Sequence, residues 1–191
     1  MKLKNVSIII VTAIILVFAG CKKDSDNDPA TTGQFIYAGT SYALSQGFLG
    51  GYGEVGINSY GIEVVLMSSG LQVIETNGIP DSISGTGDIF VMDLYSAAEN
   101  AIEPGEYTYA ESGITGTFEY SIVLIGYDAA TEEVEVEDEV VGGTVTVTKD
   151  GDTYGFSFNL TTLLGKTITG DYSGSLKFYA GIEKKSALVL K

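Results

Sequence analysis

The stretch at 142–160, GGTVTVTKDGDTYGFSFNL, constrains the fold of this chain more than any other segment. Its valines and aromatic residues alternate with threonine, serine and glycine, and this period of two is typical of strands with one buried face. Asp150-Gly151 between the two runs is a two-residue signal for a hairpin turn. With that turn, Val147 pairs with Tyr154 and the apolar side chains share one face. The segment therefore predicts an antiparallel hairpin.

The pattern continues on both sides of this hairpin. The run KTITGDYSG follows through the loop Leu163-Leu164-Gly165, which places Leu160 opposite Ile168, and GSLKFYA is predicted as the fourth strand of the same meander. Further upstream, short runs rich in β-branched and aromatic residues are bounded by glycine and other turn residues. About ten strands in one unit predict an all-β domain, either an antiparallel β-sandwich or a flattened, lipocalin-like barrel with a C-terminal meander. The six upstream runs are QFIYAG, SYALSQGFL, YGIEVVLMSS, GDIFVMDLYS, GEYTYA and GTFEYSIVLIGY.

The composition excludes several kinds of chemistry. The chain contains no histidine, so it cannot use histidine as a catalytic base or as a zinc ligand. Its formal net charge is −15 with only ten basic residues, which disfavours contact with nucleic-acid phosphates. We therefore expect no nucleic-acid partner, no metal centre, and no catalytic residues. A carboxylate-based hydrolase is the enzymatic alternative that the composition leaves open.

The N-terminus has the pattern of an export signal. Lys2 and Lys4 precede a fifteen-residue apolar run, 6–20, that ends in small residues. A basic start, a short apolar core and a small-residue end are typical of a secretory signal peptide, whereas a bilayer span needs about 20 apolar residues. The polar run that follows has few apolar groups and is predicted to be a disordered tether. The expected organisation is a signal at 1–20, a tether at 21–33 and a β domain at 34–191.

Cys21 is the only cysteine in the chain and directly follows the signal. The sequence VFAGC resembles a bacterial lipobox, although Phe18 stands where leucine is usual, and KKDSDND is similar to the export signal of surface lipoproteins in Bacteroidota. The resemblance implies a covalent lipid on Cys21. Two or three acyl chains would hold the protein stably on a membrane, since each buried methylene contributes about 0.8 kcal/mol.

Two segments of the predicted domain extend this resemblance. The segments at 42–53 and 142–174 look like the N-terminal and C-terminal motifs of a group of uncharacterised cell-envelope lipoproteins of Bacteroidota. The resemblance implies a lipid-anchored protein of the outer membrane, exposed at the cell surface. It implies no particular activity.

Acidic residues occur in two notable places. Glu63 and Asp93 lie within apolar strands, and strict alternation predicts that both face solvent. In the run at 130–141, every second residue from Glu133 to Glu139 is a glutamate. This pattern is compatible either with a Ca²⁺ site or with a solvated edge strand whose charges prevent it from pairing with the edge of another sheet. The spacing of about 6.6 Å along a strand favours the edge strand over Ca²⁺. The candidate cation ligands are Glu133, Glu135, Glu137 and Glu139.

The glycine-rich segment at 47–61 is the candidate ligand-contacting region. It is predicted either as a flexible loop that offers Phe48, Tyr52 and Tyr60 to a sugar or protein, or as a mobile connection whose aromatic side chains pack on the core. Further along the chain, Asp81-Ser82-Ile83 resembles the O-glycosylation acceptor of exported Bacteroidota proteins, with Ser82 in a predicted loop.

Three functions are compatible with the sequence. The first is a non-catalytic, membrane-anchored lipoprotein domain for binding or envelope assembly, whose partner would be an envelope protein or a glycan. The second is a lipocalin-like carrier of a small apolar ligand, which requires a sizeable interior cavity. The third is a carboxylate-based glycan hydrolase, which requires two acids converging in a cleft with at least one raised pKa.

Overall fold

The structure, a computed structural model, describes residues 32–181 and consists of twelve strands without an α-helix in that range. The all-β prediction is confirmed. No helix in the described range is long and apolar enough to cross a bilayer. The strands are β1 Thr32–Tyr37, β2 Thr40–Leu44, β3 Gln46–Gly56, β4 Ser59–Met67, β5 Leu71–Thr76, β6 Ile79–Ser96, β7 Gly105–Tyr109, β8 Thr117–Asp128, β9 Val136–Asp150, β10 Thr153–Thr162, β11 Thr167–Ser175 and β12 Lys177–Ala180.

The strands form one mixed sheet that curls into a half-barrel. Hydrogen-bonded neighbours follow the order β12-β3-β4-β6-β8-β7-β9-β10-β11-β1-β2, and β5 pairs with β6 only. All pairs are antiparallel except β12 with β3 and β7 with β8. Only Ser45 separates β2 from β3, so the β1–β2 pair and the β3–β4 pair are brought side by side. The sheet therefore wraps around a shared interior.

One end of the half-barrel, called the entry end below, is where the described chain begins. Because β1 is antiparallel to β2, and β3 continues in the direction of β2, the start of β1 and the end of β3 lie toward the same end. The antiparallel pairings also place the turn after β9 and the segment after β6 there. The turn between β10 and β11 lies at the opposite end.

Both faces of the strands β4 and β6 are covered. One face contributes to the main core inside the curl, where Phe90 lies between Phe35 and Phe158 with ring centroids 6.0 Å and 4.9 Å away. The other face forms a second apolar cluster that includes Phe48 and Tyr179, whose rings meet edge to face at 5.6 Å. Aromatic side chains therefore pack against both faces of this part of the sheet.

The predicted hairpin at 142–160 forms, but its register differs from the prediction by two residues. Val147 pairs with Phe156, and Lys149 with Tyr154. The two turn residues are Gly151 and Asp152, because Asp150 pairs with Thr153. Gly151 has a φ of 57°, and type II′ hairpin turns have glycine at this first position. A shift of two residues preserves the faces, so the apolar side chains still share the interior.

The C-terminal meander contains three strands rather than four. Leu160 pairs with Ile168, and Gly165 has a φ of 70°, so the predicted connection from β10 to β11 is confirmed. The fourth strand was assigned wrongly, since β12 pairs with β3 in parallel. Both edges of β11 are occupied by β10 and β1, and Leu176 alone is too short a link for a hairpin.

Several predicted loops are strands. The segment at 47–61 is the β3–β4 hairpin rather than a flexible connection. Ser82 lies in β6, half-buried and paired with Ile74 of β5, instead of in a loop. Thr32 and Gly33, assigned to the tether, pair with β11. The predicted signal, Cys21 and the rest of the tether lie outside the described residues.

Candidate functional site

The acidic run is only partly strand. Its stretch Val136–Glu139 belongs to β9 and pairs with β8, whereas the pairing of β9 with β10 and β7 begins further along, at Val140 and Thr144. The edge-strand interpretation therefore fits this stretch, which has a neighbouring strand on one side only, but not β9 as a whole. Glu137 and Glu139 are exposed on β9, whereas Glu133 and Glu135 precede it and are also exposed. The described residues contain no group of three acids arranged to hold a metal ion.

Asp138 in this run faces the core and has a structural role. It is 2 % exposed and accepts a hydrogen bond from the Tyr37 hydroxyl at 2.9 Å and from the Leu164 N–H at 3.2 Å. Burial, followed by this hydrogen bond, raises the pKa of Tyr37 to about 12. Asp138 therefore ties β9 to β1 and to the β10–β11 turn.

Glu63 and Asp93 form a buried acid pair, so the prediction that they face solvent is wrong. They are direct cross-strand partners on β4 and β6, and each is 1 % exposed. Simple alternation assumes that one face of each strand contacts water. Here both faces are covered, which is why the flanking residues are apolar in almost every position.

Tyrosines from the two neighbouring strands cover the acid pair. Tyr52 of β3 lies across Gly61 of β4, where a methyl group would overlap its ring. Tyr120 of β8 is half-buried on the other side of the pair, and burial raises its pKa to about 12, with nearby carboxylates, Asp93 among them, adding to the shift. Gly61 is therefore required for the tyrosine cover, because only glycine leaves room for the Tyr52 ring.

Two tyrosine hydroxyls lie together beside the acid pair. The Tyr95 hydroxyl donates to Glu119 Oε2 at 2.6 Å, and the Tyr52 and Tyr95 hydroxyls are close enough for each to affect the pKa of the other. Burial is the largest cause of the raised pKa values of both tyrosines, and nearby carboxylates raise them further. These hydroxyls therefore remain protonated at all ordinary pH values.

Glu63 is the group in this cluster that titrates near neutrality. Burial raises its pKa to about 8, and the charge of Asp93 contributes in the same direction. Its Oε2 atom has no hydrogen-bond partner among the described residues. At pH 7 Glu63 therefore holds a proton, and the pair carries at most one negative charge. Hydrolysis needs acids that a substrate can reach, and two carboxyls with 1 % exposure do not meet that condition.

Replacing Gly61 with alanine should open this cover. The new methyl group overlaps the far end of the Tyr52 side chain, so the ring must leave this position. Water then reaches Glu63, so its pKa should fall toward its ordinary value. Carboxyl ¹³C NMR titration of G61A would measure this shift, with G142A as the control, because no atom lies within 4 Å of a Cβ at Gly142 and its backbone is not in the left-handed region. An unchanged pKa for Glu63 in G61A would show that Tyr52 is not what desolvates it.

A concave groove of about 520 Å³ lies at the entry end. Its apolar wall consists of Leu49, Leu176 and Phe178, which also contact the main core. Lys149 stands at the rim with its Nζ atom 4.7 Å from the centre of the Tyr154 ring. The complete lining is Leu49, Asn100, Lys149, Asp152, Tyr154, Ser175, Leu176, Lys177 and Phe178.

Local sequence explains why the groove forms there. β11 ends at Ser175 and the chain crosses through Leu176 to the edge of β3, which leaves a gap between β12 and the β9–β10 hairpin. Phe178 lies over Gly51, where a side chain would collide with its ring. A smaller adjoining cavity of about 190 Å³ shares Asn100 and Phe178 and reaches Tyr52.

The candidate ligand-contacting aromatics are not brought together. Phe48 is 1 % exposed and packs under Tyr179, so its ring belongs to the second apolar cluster. Tyr52 borders the smaller cavity, and Tyr60 is half-buried on β4. Sequence reasoning missed Lys149, Leu176 and Phe178, because they meet only through the parallel pairing of β12 with β3. Comparisons with protein-family models, curated proteins and solved structures find no match to this chain.

Proposed function

We propose that this chain is a lipid-anchored binding domain of the cell envelope that takes a small ligand in the groove at its entry end. The groove is the main observation that supports this proposal. Its volume of about 520 Å³ falls within the range of small-molecule sites, which are about 300–1,000 Å³. Its walls combine apolar side chains with a few polar groups, as such sites commonly do.

The charge of the groove suggests the class of ligand. Residues 32–181 contain only three lysines, and two of them, Lys149 and Lys177, line this groove. Lys177 is already bonded to Glu75 at 2.8 Å, whereas Lys149 forms no ion pair with a described residue, and the one carboxylate in the lining is that of Asp152. A ligand with an apolar body and one anionic group matches this arrangement, because its apolar part can contact Leu176 and Phe178.

The anchoring part of the proposal comes from the lipobox-like sequence at Cys21. Cys21 precedes the first residue of β1 by eleven positions. A flexible segment of that length has a root-mean-square reach of about 18 Å. The groove would then lie close to the membrane, facing the same side as the tether. Mass spectrometry of the mature protein tests for the lipid on Cys21.

A carrier that encloses its ligand is the second candidate, and the interior packing argues against it. Phe90 packs against both Phe35 and Phe158 across the core. An apolar ligand would have to displace these rings, whereas the groove at the end is already open. The ligand is therefore expected at the rim rather than inside.

The Lys149→Glu variant tests the groove. Reversing this charge should weaken binding of dodecanoate at least tenfold, which corresponds to about 1.4 kcal/mol. Binding to the full-length protein can be followed by displacement of the anionic dye anilinonaphthalene sulfonate. Lys166→Glu is the matched control, since it makes the same charge change on an exposed turn at the opposite end. Equal loss in both variants, or in neither, would contradict binding at this groove.

A further inference from the structure

Two neighbouring loops at the entry end present exposed apolar side chains. Ile57 at the tip of the β3–β4 hairpin is 94 % exposed, and Ile114 in the loop between β7 and β8 is 62 % exposed. Val55, on the same hairpin, is 38 % exposed. Single exposed apolar residues are common on protein surfaces, but three on two adjacent loops at one end form a patch.

The two loops are held against each other. The Thr115 hydroxyl donates to the Asn58 carbonyl at 3.0 Å. The two backbones lie close together here, since a Cβ on Gly56 would be in van der Waals contact with the Gly113 oxygen, at 3.4 Å. The Gly113 position also faces a methyl of Val55. The apolar tips are therefore fixed in place by contacts between the loops.

The tips and the tether extend toward the same end of the half-barrel. The chain enters β1 at Thr32, eleven residues after Cys21, and β3 runs in the opposite direction to reach Ile57. If Cys21 carries lipid, the entry end faces the bilayer. The short tether then keeps the tips within reach of the headgroups.

We propose that Ile57 and Ile114 insert into the interfacial region of the bilayer and form a second contact between the domain and the membrane. This inference rests on the lipid anchor in the proposed function. Two narrow apolar tips suit a lipid surface, in which apolar side chains lie about 5–10 Å deep. The exposed acids Glu54 and Glu111 flank the tips, and no lysine lies on either loop, so the fitting surface is zwitterionic rather than anionic.

The absence of tryptophan from the sequence allows a direct test. The variants I57W and I114W each place a single tryptophan at a tip, and L163W places one at the 67 % exposed turn of the opposite end. Each full-length, lipidated protein is reconstituted into phosphatidylcholine vesicles. The fluorescence emission of the tryptophan is recorded with and without lipids brominated near the headgroup. We expect blue-shifted emission and roughly twofold or greater quenching for I57W and I114W, given the interfacial depth, and neither for L163W.

Flotation of the vesicles distinguishes the lipid anchor on Cys21 from the membrane contact of the two tips. Wild-type protein that fails to float would overturn the lipid anchor, and the tip contact with it. Protein that floats while the tryptophan of both tip variants remains solvent-like and unquenched would overturn the tip contact alone. Quenching of L163W equal to that of the tip variants would also contradict the inference, because the domain would then have no preferred orientation.

Discussion

Raising the pH from 6 to 8.5 should reduce the free energy of unfolding by about 2–3 kcal/mol, and Glu63→Gln should remove most of this loss. Glu63 is buried against Asp93, and its pKa is raised to about 8 in the folded protein. In the unfolded chain the same carboxyl has its ordinary pKa near 4.5. The folded state therefore binds a proton that the unfolded state releases over this range.

The sign of the effect follows from that difference. A group whose pKa is raised on folding stabilises the protein fully below its unfolded pKa and loses that contribution as pH rises through its folded pKa. The loss therefore begins near pH 4.5 and is complete a little above pH 8, at about 1.4 kcal/mol for each unit of pKa difference. The chain has no histidine, so few other side chains titrate in this window.

Urea unfolding of wild type and E63Q at intervals of half a pH unit measures how the free energy of unfolding changes with pH. Glutamine keeps the volume and the hydrogen-bonding shape of protonated glutamate, so E63Q should be as stable as wild type near pH 6 and more stable near pH 8.5. E54Q is the control, because Glu54 is an exposed residue of the adjacent strand. A wild-type slope retained in E63Q would show that the pH dependence arises elsewhere.

The acid pair shows where sequence reasoning stops. The hairpin at 142–160 alternates strictly, and its strands and buried face were predicted correctly. The strands that carry Glu63 and Asp93 read instead as nearly continuous apolar runs, the pattern of strands covered on both faces. That pattern was visible in GIEVVLMSS and IFVMDLYS. The prediction that both acids face solvent assumed that only one face of each of these strands is buried.

The groove could not have been predicted from local patterns. It depends on β12 leaving the meander to pair with β3, which lies more than a hundred residues earlier in the chain. The signal for this crossing is weak: one residue, Leu176, separates β11 from β12, and a hairpin needs a longer turn. Gly51, which leaves space for the Phe178 ring, reads in the sequence only as one glycine among many.

Phe90→Ala should cost about 3–5 kcal/mol of stability, the range for removing a large aromatic side chain from a packed core. Phe90 is fully buried and lies between Phe35 and Phe158, which come from distant parts of the chain. Its removal leaves a cavity lined by these rings. Since most domains are stable by only about 5–15 kcal/mol, the variant should unfold at clearly lower urea concentration.

The same variant separates a filled interior from a carrier's cavity. Benzene should bind in the cavity of F90A and restore part of its stability, as in other dry apolar cavities, while leaving wild type unchanged. F178A is the control, because Phe178 is half-buried at the groove and its loss should cost markedly less. If benzene stabilised wild type as much as F90A, the interior would already contain usable space. An enclosed apolar ligand would then account better for the fold than a ligand held at the rim.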